Sequence, residues 1–168
     1  MKKKLSLLSI LFLFLLISCN KDKSFTKNIV GTYRYTLTEE IEDGIIMGIE
    51  GTDTYNPNGK LYQSAIITLT AYNEYRGKET FTLDLFAIAD YLIKDGKIIF
   101  DYDFDKLKIV PQKDYRNSRK FQNFIDEYLT PLMKKEIINS KGYKIIELND
   151  SKLIVEQEGI EFTYYRIK

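Results

Sequence analysis

Apolar and polar residues alternate with a period of two in several stretches after residue 29. In the first of these, Tyr33, Tyr35 and Leu37 alternate with threonine and arginine side chains. A strand with this alternation turns one face to a core and the other to water. The same rule places a further set of side chains on the inner face of the predicted sheet: Phe81, Leu83, Phe100 and Tyr102. The chain is therefore predicted to fold mainly as β-strands.

Turn sequences separate these strands at short, fairly regular intervals. Asn58-Gly59 is a strong hairpin signal because both residues tolerate a positive φ, and residues 52–55 and 60–72 are predicted as its two arms. The sequences KDGK (94–97) and NDSK (149–152), and a site near Gly159, predict further turns. The resulting eight or nine strands indicate an antiparallel barrel or a sandwich, and closure into a barrel would leave no exposed strand edge.

Residues 118–138 have a different pattern. Their apolar side chains recur every three or four residues, with charged residues on the remaining faces, and this spacing predicts an amphipathic helix before the last strands. Pro131 interrupts it, so Thr130 is predicted to cap a second short helix that starts at the proline. The mixed charges favour packing on the barrel over a role at a membrane surface or with a partner helix.

The first 18 residues have the organisation of a secretory signal. Three lysines at positions 2–4 precede an apolar stretch at 5–17. That stretch has 13 residues, whereas a membrane-spanning helix needs about 20. Residues 1–18 are therefore predicted to be a signal peptide that is removed, and they are left out of the fold prediction.

The end of this signal resembles the bacterial lipobox, in which a leucine, a small residue and an invariant cysteine follow the apolar core. Leu16, Ile17, Ser18 and Cys19 occupy those places. The resemblance implies that Cys19 becomes the first residue of the mature protein and carries acyl chains that hold it to a membrane. Asn20 differs from the aspartate that retains some lipoproteins at the inner membrane, so we expect the outer membrane of a Gram-negative bacterium.

Three segments follow from these patterns. Residues 1–18 are the signal peptide, and residues 19–28 are the acylated cysteine with a polar tether. The tether, 20–28 (NKDKSFTKN), lacks periodicity and is predicted to be flexible. Residues 29–168 remain for a single domain with a real core, because the length is too small for two.

The composition excludes several kinds of chemistry. The chain has no histidine, which removes the commonest acid–base group near neutral pH, the usual zinc ligand and every imidazole-dependent serine triad. Acylation of the single cysteine would leave the folded part without a thiol. Basic and acidic residues, 25 and 24 in number, are interspersed, so we expect no nucleic-acid partner. Glycine-rich phosphate loops are also absent from the sequence. We therefore expect a non-catalytic protein without a cofactor or a metal.

Two acidic clusters allow alternatives. Residues 101–106 (DYDFDK) begin like a calcium loop, but Lys106 and Gln112 stand where such a loop needs glycine and glutamate; a solvated strand face explains the aspartates better. Glu39, Glu40, Glu42 and Asp43 fall in the first predicted loop. Two such carboxylates at a barrel mouth would suit acid–base hydrolysis, which is the most distant interpretation.

The two ends of the domain resemble those of lipocalin-like lipoproteins. Residues 29–33 (IVGTY) and 162–166 (FTYYR) carry the resemblance. Lipocalins open with a glycine, any residue and a tryptophan, and an arginine of the last strand packs across that ring. The resemblance implies a calycin-type β-barrel in which Gly31, Tyr33 and Arg166 form the closing contact, with tyrosine in place of the tryptophan.

The leading functional hypothesis is a lipid-anchored cell-envelope protein that binds a small apolar or amphipathic molecule in its barrel. The chain has 13 tyrosines and 10 phenylalanines, and tyrosine offers an apolar ring with a polar tip for lining a cavity. Such large inward side chains also suit a filled barrel, so the sequence leaves a pocket and a filled interior open. The alternative is a protein-interaction module, an accessory subunit or inhibitor of an envelope partner.

Overall fold

The computed structural model describes residues 21–42, 45–73, 77–112, 118–139 and 142–167. Within them the chain is mainly β-structure with helical segments at two places, and every strand pairs antiparallel with its neighbours. The strands are β1 (Gly31–Glu42), β2 (Ile45–Tyr55), β3 (Lys60–Asn73), β4 (Gly77–Lys94), β5 (Lys97–Tyr102), β6 (Lys108–Pro111), β7 (Tyr143–Leu148), β8 (Lys152–Gln157) and β9 (Ile160–Ile167).

Eight of these strands close into a barrel. Their order is β3-β2-β1-β9-β8-β7-β5-β4, and β4 pairs with β3 along almost the whole length of β3. The short β6 pairs with residues 83–86 of β4, on the same edge as β5. The predicted barrel is thus confirmed and the sandwich is not formed; the closed architecture is consistent with the calycin-type fold that the resemblance implies.

The predicted turns join the strands as expected. Asn56 N donates to Lys60 O (2.9 Å) around the Asn58-Gly59 turn, and Asn149 N donates to Lys152 O (3.0 Å). Asp95 and Gly96 both have positive φ, 54° and 70°, as a two-residue hairpin turn requires. The predicted start of the second strand is wrong, because β2 begins at Ile45 instead of Thr52, so that Gly48 and Gly51 lie within the strand.

The barrel is uneven in height. Strands β1 to β4 have 11 to 18 residues, whereas β7 and β8 have six each. Few residue pairs join the half with long strands to the half with short strands: β1 pairs with β9 over three residues, and β5 pairs with β7 over two. The long strands therefore extend as a curved sheet beyond the closed part of the barrel.

The predicted helix covers that extension. It consists of α2 (Arg119–Phe124), a π-helical turn (Ile125–Leu129) and α3 (Thr130–Asn139). Ser118 caps it by accepting a hydrogen bond from Phe121 N (3.3 Å). No helix in the described part of the chain is long and apolar enough to cross a membrane.

The prediction that Thr130 caps a separate helix is wrong. Thr130 has helical backbone angles, φ −63° and ψ −45°, and its N–H donates to Ile125 O. Pro131 has no N–H to offer the preceding turn, and the wider π-helical turn carries the chain into the proline without a break.

Two apolar clusters fill the molecule. The first occupies the closed part of the barrel and includes Ile29, Tyr33, Leu61 and Leu153. The second lies between the extended strands and the helix, where Leu83, Ile109 and Ile125 are buried. The helix therefore completes a core that the long strands alone would leave exposed to water.

Residues 21–28 are helical (α1), so the prediction of a flexible tether is wrong. The Asp22 carboxylate accepts hydrogen bonds from Asp95 N (2.8 Å) and Gly96 N (2.9 Å) in the β4–β5 turn. Phe25 packs against the first core cluster and Ile29 is fully buried. Because Phe25 and Ile29 are four residues apart, a helix turns both side chains toward the barrel.

Candidate functional site

A cavity opens where β1 and β9 separate. Their pairing ends at Arg34 opposite Tyr165, and beyond that point the two strands line the walls of a space of about 520 Å³. Tyr143 of β7 and Gln63 of β3 face it from across the barrel. The lining is made by these side chains and segments: Arg34, Tyr35, Thr36, Leu37, Gln63, Tyr143 and residues 161–165.

Below this space lies a second, smaller cavity of about 30 Å³. Gln63, Tyr143 and Tyr164 line both spaces, so the two adjoin each other; together they are called the site, with a wide part and a narrow base. A volume of this size has room for one or two water-sized groups. Asp53 lies at the base together with a ring of aromatic side chains.

Asp53 is the buried acidic residue of the described core, with 2% of its surface exposed. It lies in β2 opposite Tyr33 of β1 and Gln63 of β3. Gln63 Nε2 donates a hydrogen bond to Asp53 Oδ1 (3.0 Å). Burial raises the pKa of the Asp53 carboxyl from 3.8 to about 7, and the hydrogen bond from Gln63 opposes that rise only in part.

The side chains around Asp53 are mostly tyrosines, and burial raises the pKa of each one named here: Tyr35, Tyr55, Tyr102 and Tyr164. The negative charge of Asp53 is the second cause of the rise in all four. These hydroxyls therefore stay protonated at neutral pH. The narrow base thus combines one buried carboxyl with neutral hydroxyls and aromatic rings.

The rings contact one another through the centre of the barrel. Tyr35 and Tyr164 lie with ring centroids 5.1 Å apart, and Phe100 lies 5.9 Å from Tyr102. Edge-to-face contacts continue from Phe100 to Tyr143 (5.6 Å). Offset and edge-to-face packing of this kind is favourable for aromatic rings, and it holds the walls of the site in place.

Gly51 makes room for one of these rings. It stands opposite Tyr35 in the β1–β2 register. A Cβ atom at Gly51 would lie 2.7 Å from the Tyr35 ring and 2.9 Å from the Ala65 Cβ. Glycine at this position therefore lets the Tyr35 ring lie across β2 and face the cavity.

The residues that the resemblance assigns to barrel closure lie together at the end of the barrel away from the cavity opening. The Arg166 guanidinium lies over the Tyr33 ring, 5.0 Å from its centroid. It donates hydrogen bonds to Tyr33 Oη, Asn28 O and Val30 O. Gly31 has φ 148°, and a Cβ there would lie 3.3 Å from Arg166 Nη1. This contact joins β1, β9 and the end of α1, so it seals the barrel below the cavity.

The six predicted interior residues divide between two regions. Tyr35 and Leu37 line the wide cavity, and Phe100 and Tyr102 line its narrow base. Leu83 instead belongs to the second cluster, where it is fully buried. Phe81 stacks on Phe121 (5.4 Å), which packs against the same cluster. They support the helix and do not reach the site.

The predicted acidic clusters lie elsewhere. Asp101 is exposed on β5, and Asp103 forms an ion pair with Lys106 (2.7 Å) in the turn that follows. Glu39 and Glu40 are exposed near the end of β1. Within the described ranges, no group of acidic or thiol side chains has the arrangement of a metal site. Asp43, the side chain of Glu42 and the predicted lipid-attachment residue Cys19 lie outside the described residues.

Asp53 and Gln63 are not among the site residues predicted from the sequence. The signal was present: Gly51, Asp53 and Tyr55 alternate with Thr52 and Thr54, so an acidic residue occupies an inward position of a predicted strand. A scan against protein-family models gives no match, and a search of curated proteins finds none of significant similarity.

Proposed function

We propose that this chain is a lipid-anchored protein of the bacterial envelope that binds a small amphipathic molecule in its barrel without transforming it. The observation that carries the proposal is the cavity between β1 and β9. Its volume of about 520 Å³ falls in the range of roughly 300–1,000 Å³ that small-molecule sites occupy. Because β1 and β9 separate there, a molecule can enter between them.

The lining favours an amphipathic ligand over a purely apolar one. Leu37, Phe162 and the tyrosine rings offer apolar surface in the wide part. The base presents the Asp53 carboxyl and the Gln63 amide. Binding sites typically combine apolar walls with a few placed polar groups that fix orientation. An apolar chain in the wide part and a polar group at the base would satisfy both.

Binding without catalysis is supported by the groups present. A buried carboxyl with a pKa near 7 is a candidate general base, but the described lining of the base offers it no serine, threonine, cysteine or lysine to activate as a nucleophile. Histidine is absent from the sequence, and the tyrosines around Asp53 have raised pKa values. Asp53 is therefore suited to recognition of a polar ligand group.

The envelope placement rests on the sequence of the leader and on α1. Acyl chains on Cys19 would contribute about 0.8 kcal/mol for each buried methylene, and several chains hold firmly. The helix that begins by residue 21 is bonded to the β4–β5 turn through Asp22. A protein anchored at Cys19 would therefore sit close to the bilayer instead of on a flexible tether.

Native mass spectrometry tests the binding proposal. Residues 20–168 keep every described helix and strand, so this fragment can be made without signal or anchor and incubated with an envelope lipid extract. The expected spectrum contains the chain plus one small molecule. Leu37→Trp fills part of the wide cavity and should abolish the adduct, whereas Leu92→Trp, on an outer face where Leu92 is 58% exposed, should retain it. A bare chain under all conditions would contradict the proposal.

Metabolic labelling tests the anchor separately. Full-length chain expressed in a Gram-negative host should incorporate a fatty-acid probe and fractionate with the outer membrane. Cys19→Ala should lose the label and remain with the signal uncleaved. Incorporation of label into Cys19→Ala would overturn the anchor and leave the binding proposal standing.

A second candidate function is the interaction module. A row of exposed apolar side chains on the helix favours it: Phe124, Tyr128 and Leu132 have 39%, 57% and 44% of their surface exposed. Such a row suits a protein partner in the envelope. Crosslinking in intact cells through a photoreactive residue at position 128 would capture that partner; capture together with an empty cavity would favour this function over ligand binding.

A further inference from the structure

Among the described residues that line the base of the site, none carries a positive charge to balance Asp53. Gln63 donates the hydrogen bond that the carboxylate receives, and none of the ion pairs formed within the described residues includes Asp53. Burying an ionised carboxylate without a counter-charge is strongly unfavourable. A ligand that brought a cation to this place would remove that penalty, whereas an anionic ligand would add to it.

The walls of the base also favour a cation. The faces of tyrosine and phenylalanine rings carry negative potential and attract ammonium groups, most strongly where water is excluded. Phe100, Tyr55 and Tyr102 line the narrow cavity beside Asp53, and Tyr55 is buried with 3% of its surface exposed. The Asp53 carboxylate and these aromatic rings thus line one small space.

The size of that space restricts the cation. About 30 Å³ holds one or two water-sized groups. A primary ammonium is of that size and carries three N–H donors, which can meet the carboxylate and the neighbouring hydroxyls. A trimethylammonium is much larger and would remain in the wide part of the cavity. The wide part, at about 520 Å³, has room for an alkyl chain attached to the ammonium.

We propose that the ligand is a primary amine with an apolar tail, whose ammonium group is held by the Asp53 carboxylate inside the tyrosine-lined base. This inference rests on the proposed function and names the chemical class of the ligand. Asp53 and the rings of the base bind the head, and Leu37 and Phe162 contact the tail. Fatty acids and other anionic amphiphiles would be repelled by the ionised Asp53 carboxylate.

Binding of an ammonium group by Asp53 makes the affinity for the amine depend on pH. The groups that face Asp53 come from six strands: Tyr35, Tyr55, Gln63, Tyr102, Tyr143 and Tyr164. Arg34 and Glu161, of opposite charge, lie on the rim of the wide cavity. Asp53 must be ionised to hold an ammonium, and its pKa in the empty site is about 7. Amine affinity should therefore fall about 100-fold between pH 8 and pH 5, while the amine itself stays protonated.

Isothermal titration of residues 20–168 at pH 8 tests the inference with four probes of equal chain length. Octylamine should bind at least tenfold more tightly than 1-octanol, octyltrimethylammonium and octanoate. In Asp53→Asn the ratio of amine to alcohol affinity should fall to about one. Thermal unfolding of the variant, followed by circular dichroism, verifies that it is folded.

The outcomes separate the two proposals. Equal affinity of the unaltered chain for amine and alcohol, or an amine preference that survives in Asp53→Asn, overturns the ammonium site and leaves small-molecule binding intact. Equal binding of octyltrimethylammonium overturns the restriction to primary amines. If neither these probes nor any envelope lipid binds, the proposed function itself fails. If Asp53→Asn does not fold, the pH series on the unaltered chain decides: an amine affinity that does not change between pH 8 and pH 5 overturns the site.

Discussion

Replacing Asp53 by asparagine should change how the stability of this protein depends on pH. Asp53 is 2% exposed and has Gln63 as its hydrogen-bond donor, so the folded protein holds its carboxyl most easily in the neutral form. Asparagine keeps the shape and a carbonyl acceptor but cannot ionise. The substitution therefore removes one titrating group from the folded core and leaves its packing nearly intact.

The direction and the magnitude of this change in stability follow from the pKa of Asp53 in the folded and in the unfolded chain. The Asp53 carboxyl has a pKa of about 7 in the fold, against its usual 3.8. Between those values the folded chain binds a proton that the unfolded chain has lost, so the free energy of unfolding falls as the pH rises. Each pKa unit corresponds to about 1.4 kcal/mol, and the whole rise corresponds to about 4 kcal/mol. That stability is fully present below pH 3.8 and is lost as the pH passes 7.

Urea denaturation followed by circular dichroism between pH 4 and pH 8 measures this effect. The difference in free energy of unfolding between the unaltered chain and Asp53→Asn should shift by about 4 kcal/mol over that range, in favour of the variant at high pH. Asp101→Asn, an exposed aspartate of β5, is the matched control. Parallel curves for the unaltered chain and Asp53→Asn would refute the reasoning, because they would mean that Asp53 is solvated in the folded protein.

Three further substitutions test the elements that support the site. Gly51→Ala places a Cβ 2.7 Å from the Tyr35 ring, so urea denaturation should give a loss of about 1–3 kcal/mol. Arg166→Met removes the cation over the Tyr33 ring and three hydrogen bonds; a similar loss of about 1–3 kcal/mol is expected by the same measurement. Asp22→Ala removes both acceptors for the β4–β5 turn, so amide hydrogen exchange of that turn should accelerate about tenfold.

Each of these three substitutions has a matched control. Gly48→Ala is made in the same strand, where the nearest atom to a new Cβ is 3.9 Å away, and it should cost less than half as much as Gly51→Ala. Arg166→Lys keeps the charge but loses the fork that reaches three acceptors, so it should not restore stability. Asp126→Ala, on the helix, should leave exchange in the β4–β5 turn unchanged. Equal effects of any variant and its control would contradict the corresponding contact.

The β-architecture could be predicted because its signals are local. The alternation at Tyr33, Tyr35 and Leu37 and the turn residues Asn58-Gly59 and Asp95-Gly96 each act within a few residues. A period of two fixes which side chains face inward, so an antiparallel β-fold, either a barrel or a sandwich, follows from the strand count and the turns. The β6 strand was missed because its four residues are too short to show a period.

The site was missed because it depends on register between distant strands. Alternation with Thr52 and Thr54 puts Asp53 on the inward face of its strand, but a single inward aspartate does not by itself indicate a site. The pairing of Asp53 with Gln63 of β3 and Tyr33 of β1 is what brings those side chains beside it. The cavity likewise results from the early end of the β1–β9 pairing at Arg34, which neither strand's own sequence determines.

The errors at the helices have a similar cause. Polar composition in residues 20–28 predicted a flexible tether, yet tertiary contacts of Asp22 and Phe25 hold that segment against the barrel. In α2–α3, Pro131 predicted a break, but packing of Ile125 and its neighbours on the second core cluster keeps one continuous helical segment. In both places tertiary packing overrides local preference.

Mapping the bound ligand by nuclear magnetic resonance tests the central claim most directly. Isotope-labelled residues 20–168 would be titrated with octylamine, and amide shifts followed residue by residue. The cavity predicts saturable shifts at Tyr35, Leu37, Gln63 and Tyr164, with residues 119–139 of the helix unchanged. Shifts confined to the helix, or none at saturating amine, would contradict binding inside the barrel.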